Sequence, residues 1–212
     1  YTMQGENGRE YAQTLLTCKT LLKSYPISVI MSREMQVDEV IDIFERINQG
    51  GKRLSLFDLV NAATWQSDFD LREEIDEFWS EPNVKQWGWI GYEIYSQSLA
   101  LNLKSDCTKF VQLNLTGDEC QGIWERTKEC IRLTIDYLKT LGAQHISILP
   151  YANIIPIIQY YLYKGNHKTI QSQHRELIED WFWTITFSKR YSSSTLTRMN
   201  EDIKWIDNLL AG

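Results

Sequence analysis

Apolar residues recur at helical intervals along most of this chain, and that period limits the folds open to it more than any motif does. Val37, Val40, Ile41, Phe44 and Ile47 fall at the i, i+3, i+4, i+7 spacing of one buried stripe. Ser55, with Asp58 three residues on, announces the next helix, which runs to about Trp65. Further helical segments follow at roughly 69–79, 86–103, 118–140, 152–164, 169–188 and 195–210, separated by short breaks. Residues 9–23, with Tyr11, Leu15, Leu16 and Leu22, form one more amphipathic helix that Pro26 stops. Leu149-Pro150-Tyr151 marks a break, and Ile155-Pro156 predicts an interrupted helix, because proline removes a donor and crowds the preceding turn.

One segment reads differently. Ile27-Ser28-Val29-Ile30-Met31 is a short β-branched run after a proline and predicts a strand. A lone strand leaves its backbone donors and acceptors without ladder partners, so its sheet must lie elsewhere. The expected fold class is therefore mainly α, a multi-helix domain with one strand remnant of a truncated α/β domain. Residues 1–36 read as the tail of that α/β domain, 37–66 as a helix-GlyGly-helix connector, and 67–212 as the helical domain. The opening residues carry no obvious domain start, so the chain reads as part of a longer one.

Composition narrows the function. The net charge of −6 disfavours a general nucleic-acid binder, since phosphate neutralisation needs clustered Lys and Arg. The four cysteines, Cys18, Cys107, Cys120 and Cys130, form no C-x-x-C pair, which predicts neither a zinc site nor a disulfide framework, and they read as reduced thiols. No apolar stretch approaches the roughly twenty residues of a membrane span, so a cytoplasmic location without membrane contact is expected. Eight tryptophans predict large core contacts, with a stacking surface for bases as the other reading. His145, His167 and His174 stand apart from any nucleophile and receive no catalytic role.

The run Phe44-Glu45-Arg46-Ile47-Asn48-Gln49-Gly50-Gly51-Lys52-Arg53-Leu54-Ser55 resembles the F-x-R-I-N-x-G-G-x-x-L-S signature of the GmrSD-type restriction endonuclease family, in its N-terminal ParB/sulfiredoxin-like part. Pro26-Ile27-Ser28-Val29-Ile30 is similar to the last strand of that part. Ile148-Leu149-Pro150-Tyr151, Trp181-Phe182-Trp183 and Arg190-Tyr191-Ser192-Ser193-Ser194 resemble the family's helical region, in the same order. The resemblance implies a bacterial, NTP-dependent system that senses modified DNA and restricts it in antiphage defence, with Mg²⁺ as a cofactor of the intact protein and an HNH-type nuclease domain or subunit as partner. The family's D-G-Q-Q-R motif for nucleotide chemistry is not in this sequence, and the three histidines show no His-Asn-His arrangement. The resemblance therefore implies no catalytic residue and no metal ligand here, and a chain that is inactive by itself.

What it does imply is a nucleotide-supporting set, Glu45, Arg46, Asn48, Gly50, Gly51, Lys52 and Arg53, similar to a ParB-like helix that holds phosphates and magnesium. Each member also has a structural account. Arg46 stands i, i+4 from Asp42 and can pair with it; Asn48 can bond the Gly-Gly turn; the glycines can close the helix. A second set, Lys189, Arg190, Tyr191, Ser192 and Ser193, combines cations, a ring and hydroxyls suited to a DNA backbone. Ser194 or Thr195 as an N-cap explains part of that run, but not Arg190 or Tyr191. Two functions stay open: a part that supports the nucleotide site and contacts DNA or the nuclease, or a non-catalytic protein-interaction or oligomerisation scaffold, including a homo-oligomer.

Overall fold

The computed structural model describes residues 6–26, Glu39, Ile43 and 54–212. It divides the chain into two compact units, Tyr1–Gln36 and Val37–Gly212. The fold is mainly α, as the apolar period requires. Among the described residues, extended pairing is confined to one isolated bridge between Gln66 and Phe69. The strand expected at 27–31 and the glycine-ended helix over 37–49 lie outside the described residues, apart from helical Glu39 and Ile43.

In the first unit, α1 spans Glu6–Lys23. Its Thr14, Thr17 and Thr20 hydroxyls each donate to the carbonyl four residues back, at 2.9–3.0 Å, so these side chains are satisfied within the helix. Tyr11, Leu15, Leu16, Leu21 and Leu22 are exposed on it.

The second unit is a helical assembly: α2 (Leu56–Thr64), α3 (Leu71–Ser80), α4 (Pro82–Trp87), α5 (Tyr92–Lys104), α6 (Lys109–Leu113), α7 (Gly117–Thr140), α8 (Ile154–Lys164), α9 (Ser172–Phe187) and α10 (Thr195–Ala211), with 3-10 turns at Ile146–Ile148 and Arg190–Ser192. Side chains cap four of these helices. Ser55 accepts from the Asp58 N–H while Asp58 accepts from the Ser55 N–H at 2.7 Å, a full capping box. Asp70 caps α3, Thr108 caps α6, and Thr116 forms a second capping box with Glu119 on α7. Pro82 sits at the first position of α4, where no intrahelical donor is lost.

Helix α8 is the centre. Ile154, Ile155, Ile157, Ile158, Tyr160, Tyr161 and Leu162 are all buried. A helix apolar on every face must be surrounded, and α5, α7 and α10 enclose this one. Each such side chain contributes roughly 1.5–3 kcal/mol of burial, so this helix anchors the unit. Polar pairs fix its register. Gln159 donates to Asn102 Oδ1 at 3.0 Å, Asn102 donates to Thr127 at 3.0 Å, and the Tyr160 hydroxyl donates to Asp207 at 2.7 Å. Cys107, Cys120 and Cys130 are buried free thiols, and burial pushes the first two up to about 12 and the third to about 11.

Three local expectations change. The helix anticipated over 86–103 is two helices, because the Trp87 indole N–H donates to the Ala143 carbonyl at 2.8 Å and Gly88 turns with φ of 109°. A side chain at Gly88 would lie 2.6 Å from Ile146 Cγ2, so both conformation and space require glycine. Pro156 does not interrupt a helix. It is the third residue of α8, where the missing N–H would have had no partner. Helix α2, read as half of a connector, is built into the second unit through buried Phe57, Val60 and Thr64.

Candidate functional site

The basic hydroxyl run lies between α9 and α10 and is partly turned inward. The Arg190 guanidinium grips Asp202 with both branches, Nη2 to Oδ1 at 2.7 Å and Nε to Oδ2 at 3.3 Å, and reaches Glu201 at 2.9 Å. The Tyr191 hydroxyl donates to the same Asp202 carboxylate at 2.5 Å. Asp202 is only 6% exposed and Tyr191 only 4%. A buried carboxylate is tolerated when it is charge-paired and fully hydrogen-bonded, and here a cation and a phenol satisfy it. Burial first, and then the Asp202 charge, drives the Tyr191 pKa upward, so the ring stays a neutral donor.

Arg198 completes the latch by donating to the Arg190 carbonyl, and the Thr195 hydroxyl donates to the Tyr191 carbonyl at 3.0 Å. Ser194 occupies the N-cap position of α10 with φ of 50°, but its hydroxyl makes no capping bond; the expected hydroxyl cap is replaced by these carbonyl contacts. The run thus separates into two parts. Arg190 and Tyr191 serve the fold, with no free ring face on Tyr191 for a base to stack upon. Lys189, Ser192 and Ser193 are exposed. Tyr191 also meets Tyr151 edge to face at 5.9 Å, which brings the Leu149-Pro150-Tyr151 turn and the Arg190-Tyr191 run together in space.

The seven residues of the nucleotide-supporting set, Glu45, Arg46, Asn48, Gly50, Gly51, Lys52 and Arg53, lie outside the described residues. The end of their signature does not. Ser55 is the N-cap of α2, and Asp58 carries that cap into a wider anchor by accepting from Arg72 Nη2 at 2.5 Å. The Arg72 guanidinium lies over Tyr92 at 4.6 Å and Phe57 at 5.1 Å, two rings stacked 4.6 Å apart. The Asp58 carboxyl is held below its ordinary range first by the Ser55 backbone N–H, with the Ser55 hydroxyl and Arg72 adding to it. The last residue of the signature therefore has a structural reason to be serine.

The tryptophans divide between core and surface. Trp87 and Trp124 are buried, and Trp181 stacks on Trp205 at 6.2 Å. Trp183 is 42% exposed and stacks on Phe187, which is 83% exposed, at 5.8 Å and 15°. Glu176, Asp180, Trp183 and Phe187 follow one another at i, i+4, i+7, i+11, so α9 presents an outer stripe that is acidic at one end and aromatic at the other. Glu176 and Asp180 form no ion pair among the described residues. Composition could have raised this surface, through Trp-Thr-Ile-Thr-Phe at 183–187, but only geometry shows that the two rings face outward.

Two of the three histidines have hydrogen-bond partners within the fold. His145 Nδ1 accepts from the Ser147 N–H at 3.1 Å, and His174 Nδ1 bonds the Tyr161 hydroxyl at 2.8 Å. Among the described residues, no group of three or more His, Cys, Asp and Glu side chains converges as a metal site, and no helix is long and apolar enough to cross a membrane.

No family model matches the chain, and no solved structure matches it. It is similar to the uncharacterised protein MJ0686 of Methanocaldococcus jannaschii, at 24% identity over 186 residues. That match covers 81% of this chain and 31% of the archaeal protein, so the chain spans about a third of its relative's length.

Proposed function

We propose that this chain is the helical, non-catalytic scaffold of a modification-dependent DNA restriction protein, and that α9 is its contact surface for the nuclease part. The signature over 44–55 supports the restriction system, and the outer stripe of α9 supports the contact. Two stacked rings on one exposed helix face offer an apolar anchor of the kind that dominates protein interfaces. Glu176 and Asp180 beside them favour a partner segment carrying Lys or Arg, as nucleases that must approach DNA phosphates do. The internal pairing of Arg190 argues against DNA contact through that residue.

The test is Trp183→Ala with Phe187→Ala in the intact protein. Restriction of modified DNA should fall at least tenfold while NTP turnover and the unfolding midpoint stay near wild type. Unchanged restriction would remove α9 from the mechanism. The nucleotide role of Glu45, Arg46, Asn48 and Gly50 to Arg53 rests on the resemblance alone. It is tested by Glu45→Ala and Asn48→Ala, each of which should lower NTP turnover in the intact protein; turnover at the wild-type level in both would make the signature structural.

A further inference from the structure

A cavity of about 280 Å³ opens among α7, the C-terminal half of α8 and the first turn of α9; of its lining residues, Arg175 also borders the groove that holds Glu176, Asp180 and Trp183. Its floor is apolar, formed by Leu133, Leu162 and Ile170, and the Tyr137 ring lines one wall. Lys168 and Arg175 stand at its rim. These two cations differ from seven others among the described residues of the unit. Arg72, Lys104, Arg126, Lys128, Arg132, Lys139 and Arg190 each hold a carboxylate within 3.2 Å. Lys168 and Arg175 make no ion pair and no hydrogen bond among the described residues, and both are exposed.

The acidic group that also lines the cavity, Asp136, does not cancel them, since Lys139 pairs with it at 3.2 Å. Among the described residues the Tyr137 hydroxyl is buried without a hydrogen-bond partner; burial and, after it, Glu179 push its pKa up, while Arg175 acts the other way. An orphaned buried phenol costs stability unless something reaches it. An apolar floor with a few converging polar groups is the general form of a small-molecule site, and this volume falls just below the usual range of about 300–1,000 Å³.

We propose that this cavity binds a small organic anion, its flat apolar body lying on Leu133, Leu162, Ile170 and the Tyr137 ring, and its terminal phosphate or carboxylate held between Lys168 and Arg175. The arginine fork suits two oxygens of one anionic group, and the lysine adds a point charge. The volume matches about one ring system with its charged group.

Phenyl phosphate is the probe, titrated calorimetrically into the intact protein beside inorganic phosphate. Phenyl phosphate should bind saturably, and inorganic phosphate at least tenfold more weakly, because it leaves the apolar floor in water. Lys168→Ala and Arg175→Ala, both at exposed positions, should each weaken phenyl phosphate about tenfold, while Lys204→Ala on α10 leaves it unchanged. Absence of saturable binding overturns the site. So does equal affinity in wild type and both rim variants, which would place the anion elsewhere. Equal affinity for the two probes overturns the apolar half of the assignment.

Discussion

Two arginines on neighbouring stretches of this unit have opposite fates. Arg190, after α9, is gripped by Asp202 and Glu201 and is committed to the fold. Arg175, in the first turn of α9, pairs with no carboxylate among the described residues and borders an apolar cavity. Nothing in the local sequence of either, Lys189-Arg190-Tyr191 or His174-Arg175-Glu176, shows which one is paired. The difference is set one helix away. Arg190 meets Asp202 because α10 returns across it, whereas among the described residues no carboxylate comes within ion-pair distance of Arg175. A cation with a buried anion as partner is part of the architecture, and a cation left open over a cavity is available to a ligand.

The largest effect should come from the closed site. Asp202→Ala leaves the Tyr191 hydroxyl buried without an acceptor and Arg190 without its main partner, so unfolding in urea should show a loss of about 3 kcal/mol. A loss under 1 kcal/mol would mean that the latch is no stronger than a surface pair. A middle case is Ser55→Ala, which removes the cap of α2 and should cost about 1 kcal/mol.

Its partner Asp58 adds a pH dependence. The folded carboxyl titrates below the unfolded one, so its stabilisation is fully present above about pH 4 and is lost as pH falls through the lower folded value. Asp58→Asn should remove that part of the acid sensitivity; an unchanged acid limb would show that the capping box does not contribute to it. The smallest effect belongs to the open site. Arg175→Ala should change stability by no more than about 0.5 kcal/mol, since no ion pair or hydrogen bond is lost, and a cost above 1 kcal/mol would reveal a structural role for Arg175.

Much of the fold was readable before any coordinates. The helical period placed α2, α3, α7, α8, α9 and α10 within about three residues of their observed ends, because side-chain caps and apolar stripes are local signals. Gly88 was less legible. Its turn depends on Ile146 and the Ala143 carbonyl, more than fifty residues away, and a glycine among good helix formers gives no local sign of that demand. The site was harder still. Residues 189–193 carry the composition of a phosphate-binding run, yet Asp202 lies twelve positions on from Arg190 and is indistinguishable in sequence from an ordinary helix-surface aspartate. Likewise, nothing in the sequence shows that the Trp183 ring points outward while Trp181, two positions earlier, stacks on Trp205. Long-range pairing decides what a polar residue is for, and a periodic pattern does not report it.

Whether Arg190 closes the fold or meets DNA is decided by Arg190→Ala in the intact protein, with urea denaturation and DNA binding followed in parallel. Stability should drop by about 2 kcal/mol, less than for Asp202→Ala because the guanidinium is partly solvated, while the folded protein keeps wild-type DNA affinity. Unchanged stability together with weakened DNA binding would contradict the account and return the run to the DNA.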